Sequence, residues 1–503
     1  MIAVIDFGSQ YTQLIARRIR ECHVYSEIFS CFIDAHHLFD KTHLEGLILS
    51  GGPGSVYEAR AQSFKHFFDL NVPILGICYG MQLVAETLGG KVKYSKKREY
   101  GHTRITVKTH PIFSGLPKRF NVWMSHGDIV VGTPPGAAII ASTETTPIAA
   151  FQLRNFYGLQ FHPEVRHTQY GLKIINNFLT KVCEAKKMWS MNKFVDDEIV
   201  RIRETVGKNR VICAISGGID STVAAALATK AIGNNLASIF VDNGLLRINE
   251  KKEVRKSLSP YINLKIVNAK KRFLAKLQNV KNPERKRQII GREFIKIFES
   301  EAMRIRNVKF LIQGTLYPDV IESGKGIGPS AVIKSHHNVG GLPQKMRLKI
   351  IEPLRFLFKD EVRKIARVLG LPSSFIERKP FPGPGLAVRI VGPVTAERLK
   401  ILREADKIVL EEAGKLKRYN DIWQIFAVLL PLRSVGVMGD KRTYDSVCAI
   451  RAVSSDDGMT ADWVRLPAEF LSTVSRRITN EVKGINRVVY DVTSKPPSTI
   501  EWE

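Results

Sequence analysis

The chain has 503 residues, with 76 Lys and Arg against 48 Asp and Glu, a formal charge of +28, and a 44% hydrophobic share. That length suggests about three domains of ordinary globular composition, which excludes disordered, collagenous and disulfide-scaffold classes. No apolar run approaches the ~20 residues of a spanning helix, and MIAVIDFGSQYTQL lacks a secretory signal, so a cytoplasmic protein with no membrane partner is expected.

In chain order, the apolar strand IAVIDFG comes first, then LEGLILSGGPGS and VPILGICYG, each an apolar run closed by glycines, with the helical pattern MQLVAETLG after the last. Strands alternating with helices predict a mainly parallel sheet covered on both faces. This α/β unit ends near Trp189, which gives a first domain over 1–189. A second α/β unit runs through the strand RVICAIS, the helix DSTVAAALATKAIG and the strand LASIFVDNG, a βαβ module, and continues to a glycine-rich loop, GKGIGPSAVIKSHHNVGGLP. The Pro- and Gly-dense RKPFPGPGLAVRIVGP closes it, so the second domain is 190–384 and a small α+β unit occupies 385–503.

The six cysteines, Cys22, Cys31, Cys78, Cys183, Cys213 and Cys448, form no CxxC pair, as in a reducing compartment. An isolated cysteine is usually a buried structural residue. Cys78, however, lies between a buried strand and a helix start, where unpaired N–H groups and the helix dipole favour a thiolate. In that turn the N–H of Tyr79 is a ready oxyanion donor, and Gly52 of SGGPGS offers a second. His162 and Glu164, in LQFHPE, supply a base and a carboxylate to orient it, the Cys-His-acid arrangement. His126 in MSHGD is a rival base.

GGPGS, GICYGMQ and QFHPE, in this order, resemble the triad glutamine amidotransferases. The resemblance implies that Cys78 takes the glutamine acyl group, with His162 as base and Glu164 as orienting acid, and it leaves His126 a structural or pocket role.

Downstream, Ser216-Gly217-Gly218-Ile219-Asp220-Ser221-Thr222 joins an apolar strand to a helix. Glycines let the backbone approach phosphate, and the helix N–H groups and three hydroxyls donate to it. The segment resembles the pyrophosphate-binding loop of ATP pyrophosphatases and lacks the lysine of a GxxxxGK[ST] loop. That family cleaves ATP between its α and β phosphates, giving adenylate transfer and free pyrophosphate. Asp242, with Asn243 and Gly244, ends the next strand at the edge where open α/β sheets bind nucleotides. Asp220 either caps the helix or holds Mg²⁺ that arrives with ATP, and no organic prosthetic group is expected. Lys334 is a partner for the departing pyrophosphate or a solvated loop lysine; His336 and His337 read as loop contacts rather than metal ligands.

PFPGPGL, LLPLRSVGVMGD, RVVYD and the terminal KPPSTIEWE together resemble the glutamine-hydrolysing GMP synthase family over essentially the whole chain. That resemblance implies a homodimer built through the third unit, with xanthosine monophosphate (XMP) as the acceptor of glutamine-derived ammonia. Lys495 offers charge to a phosphate, Glu501 accepts from purine or ribose donors, and Ile500, Gln424 and Arg433 join them as XMP-site candidates. Packing of Trp502 at a subunit interface is the structural alternative for the tail. The basic run over 270–309, with 13 basic and 4 acidic residues, reads as solvated surface; nucleic acid is not required, though weak polyanion binding stays open.

Overall fold

Ile2–Asp6 (β1) is buried at every position, as a strand covered on both faces must be. The computed structural model describes residues 1–9, 11–34, 43–57, 61–322, 348–438, 441–455 and 461–503; Lys334, His336 and His337 lie outside them. The chain forms two compact units, one built mainly from Met1–Phe194 and the other mainly from Val195–Thr315 and Lys359–Glu503.

In the first unit, β1 is followed by β2 (Ser26–Ser30), β3 (Gly46–Leu49), β4 (Ile74–Ile77), β5 (Lys91–Val107), β6 (Arg119–Gly132), β7 (Ala138–Ser142), β8 (Ala150–Leu153) and β9 (Phe156–Leu159). They form one nine-stranded sheet in the order β2-β1-β3-β4-β9-β8-β7-β5-β6. The half from β2 to β9 is parallel, and the remaining strands extend it antiparallel. The expected parallel sheet is therefore half of a mixed one, because the alternating, partly exposed β6 reads weakly beside the apolar parallel strands. The helix Thr12–Glu21 buries Thr12, Ile15, Ala16 and Ile19 as one stripe at the helical period.

The second unit contains a parallel sheet of β10 (Arg210–Ile215), β11 (Leu236–Asp242), β12 (Leu264–Asn268), β13 (Val308–Ile312) and β14 (Lys349–Ile351), in the order β12-β11-β10-β13-β14. Strand order reverses around β10, so a crevice opens at its carboxyl end. A further sheet comprises β15 (Gln424–Met438), β16 (Lys441–Ser454), β17 (Asp462–Trp463) and β18 (Ile485–Asp491), with β15 antiparallel and β18 parallel to β16. Residues 385–503 share their core with the preceding α/β segment: Ile212, Ile239 and Leu311 belong to the same buried cluster as Leu402, Ile450 and Ile478. The described residues include no helix long and apolar enough to cross a membrane.

Candidate active site

Cys78 lies at the end of β4, immediately before the helix Tyr79–Thr87, at φ +52° and ψ −106°. That left-handed conformation costs a non-glycine residue on the order of 1–3 kcal/mol and persists only where its surroundings enforce it. The flanking glycines show how. A β-carbon on Gly76 would stand 2.4 Å from the Gly80 carbonyl oxygen, and one on Gly80 would stand 2.4 Å from the Leu49 oxygen. Strand and helix thus meet closely enough to push the nucleophile out of line with both.

His162 and Glu164 follow β9, the parallel neighbour of β4. His162 Nδ1 lies 2.7 Å from Glu164 Oε1, and both side chains are buried. The Cys78 thiol donates toward the Ser125 carbonyl at 3.7 Å. Burial alone would pull the His162 pKa down; the adjoining Glu164 carboxylate and the nearby Cys78 thiol outweigh burial and raise it. The base is therefore held in one orientation and prepared to keep a proton taken from the thiol. Tyr11 packs edge-on at 5.2 Å between ring centroids, and Gln160 donates toward the Cys78 sulfur at 3.8 Å. Sequence reasoning assigned neither neighbour a role, although Gln160 opens the QFHPE motif.

Gly51 and Gly52 line the same place: a β-carbon on Gly51 would fall 3.4 Å from His162 Cε1, and one on Gly52 3.4 Å from Tyr79 Cδ1. His126 is occupied elsewhere, with Nε2 3.2 Å from Glu99 Oε2, an oxygen that also accepts from Thr146. The geometry thus separates the two candidate bases in favour of His162. Cys22, Cys31, Cys183, Cys213 and Cys448 all have thiols raised by burial.

In the second unit the loop 216–218 links β10 to the helix Ile219–Ile232, at the sheet's reversal point. Gly217 adopts φ +82°, and a β-carbon there would meet Phe240 at 3.5 Å and Val254 at 3.7 Å. Ser216 Oγ is 3.0 Å from Ser221 Oγ, the Gly218 amide donates to Ser216 Oγ at 3.3 Å, and Thr222 Oγ1 donates to Gly218 O at 2.9 Å. The Ser216 amide donates to Ser221 Oγ at 3.2 Å, so the hydroxyls brace a loop that stands at the helix N-terminus, the end of a helix that favours an anion. Asp242 at the end of β11 is buried, with Lys251 and Lys270 at 3.3 and 3.5 Å. Among the described residues no three His, Cys, Asp or Glu side chains cluster as a metal cage. Mg²⁺ carried on phosphate needs only one or two carboxylates, which the position of Asp220 in the first turn can supply.

The tail is bound internally. Both Glu501 oxygens accept from Arg389, at 3.0 and 2.9 Å. Arg389 is wholly buried, and its guanidinium lies 3.9 Å from the Phe426 ring centroid. Glu501, expected to accept from purine or ribose, is thus already paired, a long-range contact that local sequence does not display. Lys495 pairs its backbone with Ala461 in both directions, at 2.7 and 3.0 Å. Ala461 immediately precedes β17, whose Trp463 is the register partner of Val453, and Val453 is also the partner of Gln424. Ile500 packs on Phe426 and Val428. Gln424 is buried, and its Oε1 accepts no hydrogen bond among the described residues.

Arg433 is different. It sits beyond a β15 register shift, exposed, nine residues from Gln424. At ~3.3 Å per residue this is roughly 25–30 Å, farther than one mononucleotide spans. The structure therefore pairs Glu501 with Arg389, seats Ile500 on the neighbouring apolar cluster, joins Lys495 to Ala461 through the backbone, and leaves Arg433 far along β15 from Gln424. Trp502 Nε1 donates to Asp491 at 2.9 Å, which ties the tail to β18.

Comparison with known proteins finds three families along the chain. Residues 3–182 match the class-I glutamine amidotransferase family, 190–288 the NAD synthase family, and 411–502 the GMP synthase C-terminal domain. The chain is 57% identical over 510 residues to the glutamine-hydrolysing GMP synthase of Nitratidesulfovibrio vulgaris, covering 100% of this chain and 99% of the relative. With the Aquifex aeolicus enzyme of the same name it shares 55% over 507 residues, again covering 100% and 99%. For the one from Thermosipho melanesiensis the identity is 54% over 511 residues, with the same coverage. A cysteine on a strand-to-helix elbow, a glycine turn at a second helix start and full-length similarity on one chain lead to one conclusion: it belongs to the glutamine-hydrolysing GMP synthase family.

Proposed function

We propose that this chain converts XMP to GMP with nitrogen from glutamine and energy from ATP, and that its two sites divide the work. The observation that carries the reading is the buried Cys78–His162–Glu164 assembly on a strained elbow. Cys78 attacks the glutamine side-chain carbonyl as His162 takes the thiol proton, with Glu164 holding the imidazolium. The N–H groups of Tyr79 and Gly52 receive the developing oxyanion. Ammonia leaves, and water releases glutamate from the acyl-enzyme.

Residues 216–222 bind the ATP phosphates, Asp242 borders the adenosine, and Lys334 is the cation for the departing pyrophosphate. Asp220 would help hold Mg²⁺ on those phosphates, where the ion would supply positive charge. The XMP oxygen at C2 attacks the α phosphate, which gives adenyl-XMP and pyrophosphate. Ammonia then displaces AMP and leaves GMP. Gln424, Lys495, Ile500 and Glu501 hold XMP, supported by the unpartnered Gln424 oxygen and the neighbouring tail. Arg433 belongs to this set only if a second chain delivers it.

The three functional segments are 1–189, 190–384 and 385–503. The third supports a homodimer: Val435, Val437 and Tyr444 are exposed apolar residues on one face of β15 and β16, the kind of surface a second copy covers. A cytoplasmic location suits nucleotide substrates and thiols left unpaired. The test is to mix protein, glutamine, ATP, Mg²⁺ and XMP and to measure GMP, AMP, pyrophosphate and glutamate. Equal amounts of GMP, AMP and pyrophosphate support the reading; adenylate chemistry indifferent to XMP contradicts it.

A further inference from the structure

Lys286 is one of the 13 basic residues of the 270–309 run, yet its side chain is wholly inside. In the helix Pro283–Met303 it heads a stripe with Ile290, Glu293, Ile297 and Glu301, all buried, at spacings of three and four. Its ammonium donates to the Ala387 carbonyl at 3.2 Å, the Ile390 carbonyl at 2.7 Å and the Glu503 carboxylate. Glu503 is also the acceptor for the Gly392 amide at 2.9 Å, and its main-chain oxygen accepts from Arg287. An ammonium with no water around it needs a counter-charge, and Glu503 is the carboxylate that provides one.

We propose that Lys286 is a positioning residue for the XMP acceptor, acting through Glu503. This rests on the reading that the tail contacts XMP. Here two carboxylates, at 501 and 503, sit on two buried cations, Arg389 and Lys286, from separate segments of the fold. Two anchors two residues apart fix both the position and the rotation of the segment 495–503. Arg451 adds a third hold, with Nη2 donating to Ser498 Oγ at 3.1 Å and Thr499 O at 3.2 Å. Release of Glu503 would leave Lys286 charged and unpaired, so the docked tail is the state the core favours, and XMP meets a site already shaped. Binding to a preformed site avoids the cost of ordering it.

The experiment uses the full-length enzyme and compares Lys286→Met, Glu503→Gln, the double variant and Lys495→Ala. Glu503→Gln keeps the size of the side chain and leaves Lys286 in place, so it reads the contact even if Lys286→Met folds poorly. Both single variants should raise KM for XMP about ten-fold or more, the worth of one charge-assisted contact, without a matching change in KM for ATP. The double variant should be no worse than the weaker single, and hydrogen exchange should quicken over 495–503. Wild-type KM for XMP and unchanged exchange in Glu503→Gln would overturn the proposal. Lys495→Ala separates the layers. If it raises KM while Glu503→Gln does not, the anchor alone is wrong; if neither moves KM, the tail reading falls with it.

Discussion

At the glutamine end, a carboxylate, an imidazole and a thiol stand in a row, and Glu164 Oε2 accepts no hydrogen bond among the described residues. At the tail, by contrast, the Glu501 and Glu503 carboxylates each meet a wholly buried cation. The first arrangement concentrates charge where a proton must move; the second neutralises charge where a chain must stay put. Buried ions therefore serve reactivity in one region and placement in the other. Which role a pair plays follows from whether a nucleophile adjoins it.

The sharpest break would come from a region common to both nitrogen routes. Gly217→Val forces a β-branched side chain into φ +82° against Phe240 and Val254, so GMP formation should vanish with glutamine and with ammonium alike. Product analysis with each source checks this, and survival of ammonium-dependent synthesis would place ATP elsewhere.

Arg389→Met probes the placement role. It strands Glu501 without its cation, and the loss should be about 3–5 kcal/mol, read from urea unfolding followed in the second unit. A midpoint equal to wild type would show that the pair is spectator charge.

Glu164→Gln probes the reactive role. Removing the carboxylate withdraws what raises the His162 pKa, so that pKa must fall, and the glutaminase pH profile should shift to lower pH. The rate should drop up to about a hundred-fold, the lower range for a misplaced acid–base group, while the fold holds. An unshifted profile would mean that Glu164 does not govern His162.

The smallest effect belongs to the outer charges of the basic run. Lys271, Lys276, Lys281 and Arg292 are exposed, whereas Arg272 and Arg304 already pair with Glu293 and Glu301. Neutralising the four exposed residues should leave turnover unchanged and stability within about 0.5 kcal/mol. Tight RNA binding lost on that change would instead assign the run a polyanion.

The elbow at Cys78 and the strand–turn–helix over 210–232 were legible because each is local: an apolar strand, a glycine turn and a helix start occupy neighbouring positions, and the backbone geometry follows from them. His162 and Glu164 were legible as a pair for the same reason. The tail was not. Its partners, Arg389 and Lys286, lie 112 and 217 residues away. The signal was present in part, since Lys286 shares the spacing of Ile290, Glu293 and Ile297 on a core-facing stripe, but a lysine at such a position is ordinarily taken as surface. Arg433 failed in the opposite direction. Nearness in sequence to a motif suggested nearness in space, and an extended strand carries residues apart faster than any other element.

Cys78→Ala, assayed side by side with glutamine and with ammonium, tests the division of labour most directly. GMP formation from glutamine should fall to background, and formation from ammonium should continue at the wild-type rate, since the phosphate loop and the tail lie in the other unit. Loss of both activities in a folded variant, or persistence of the glutamine-dependent one, would contradict the account.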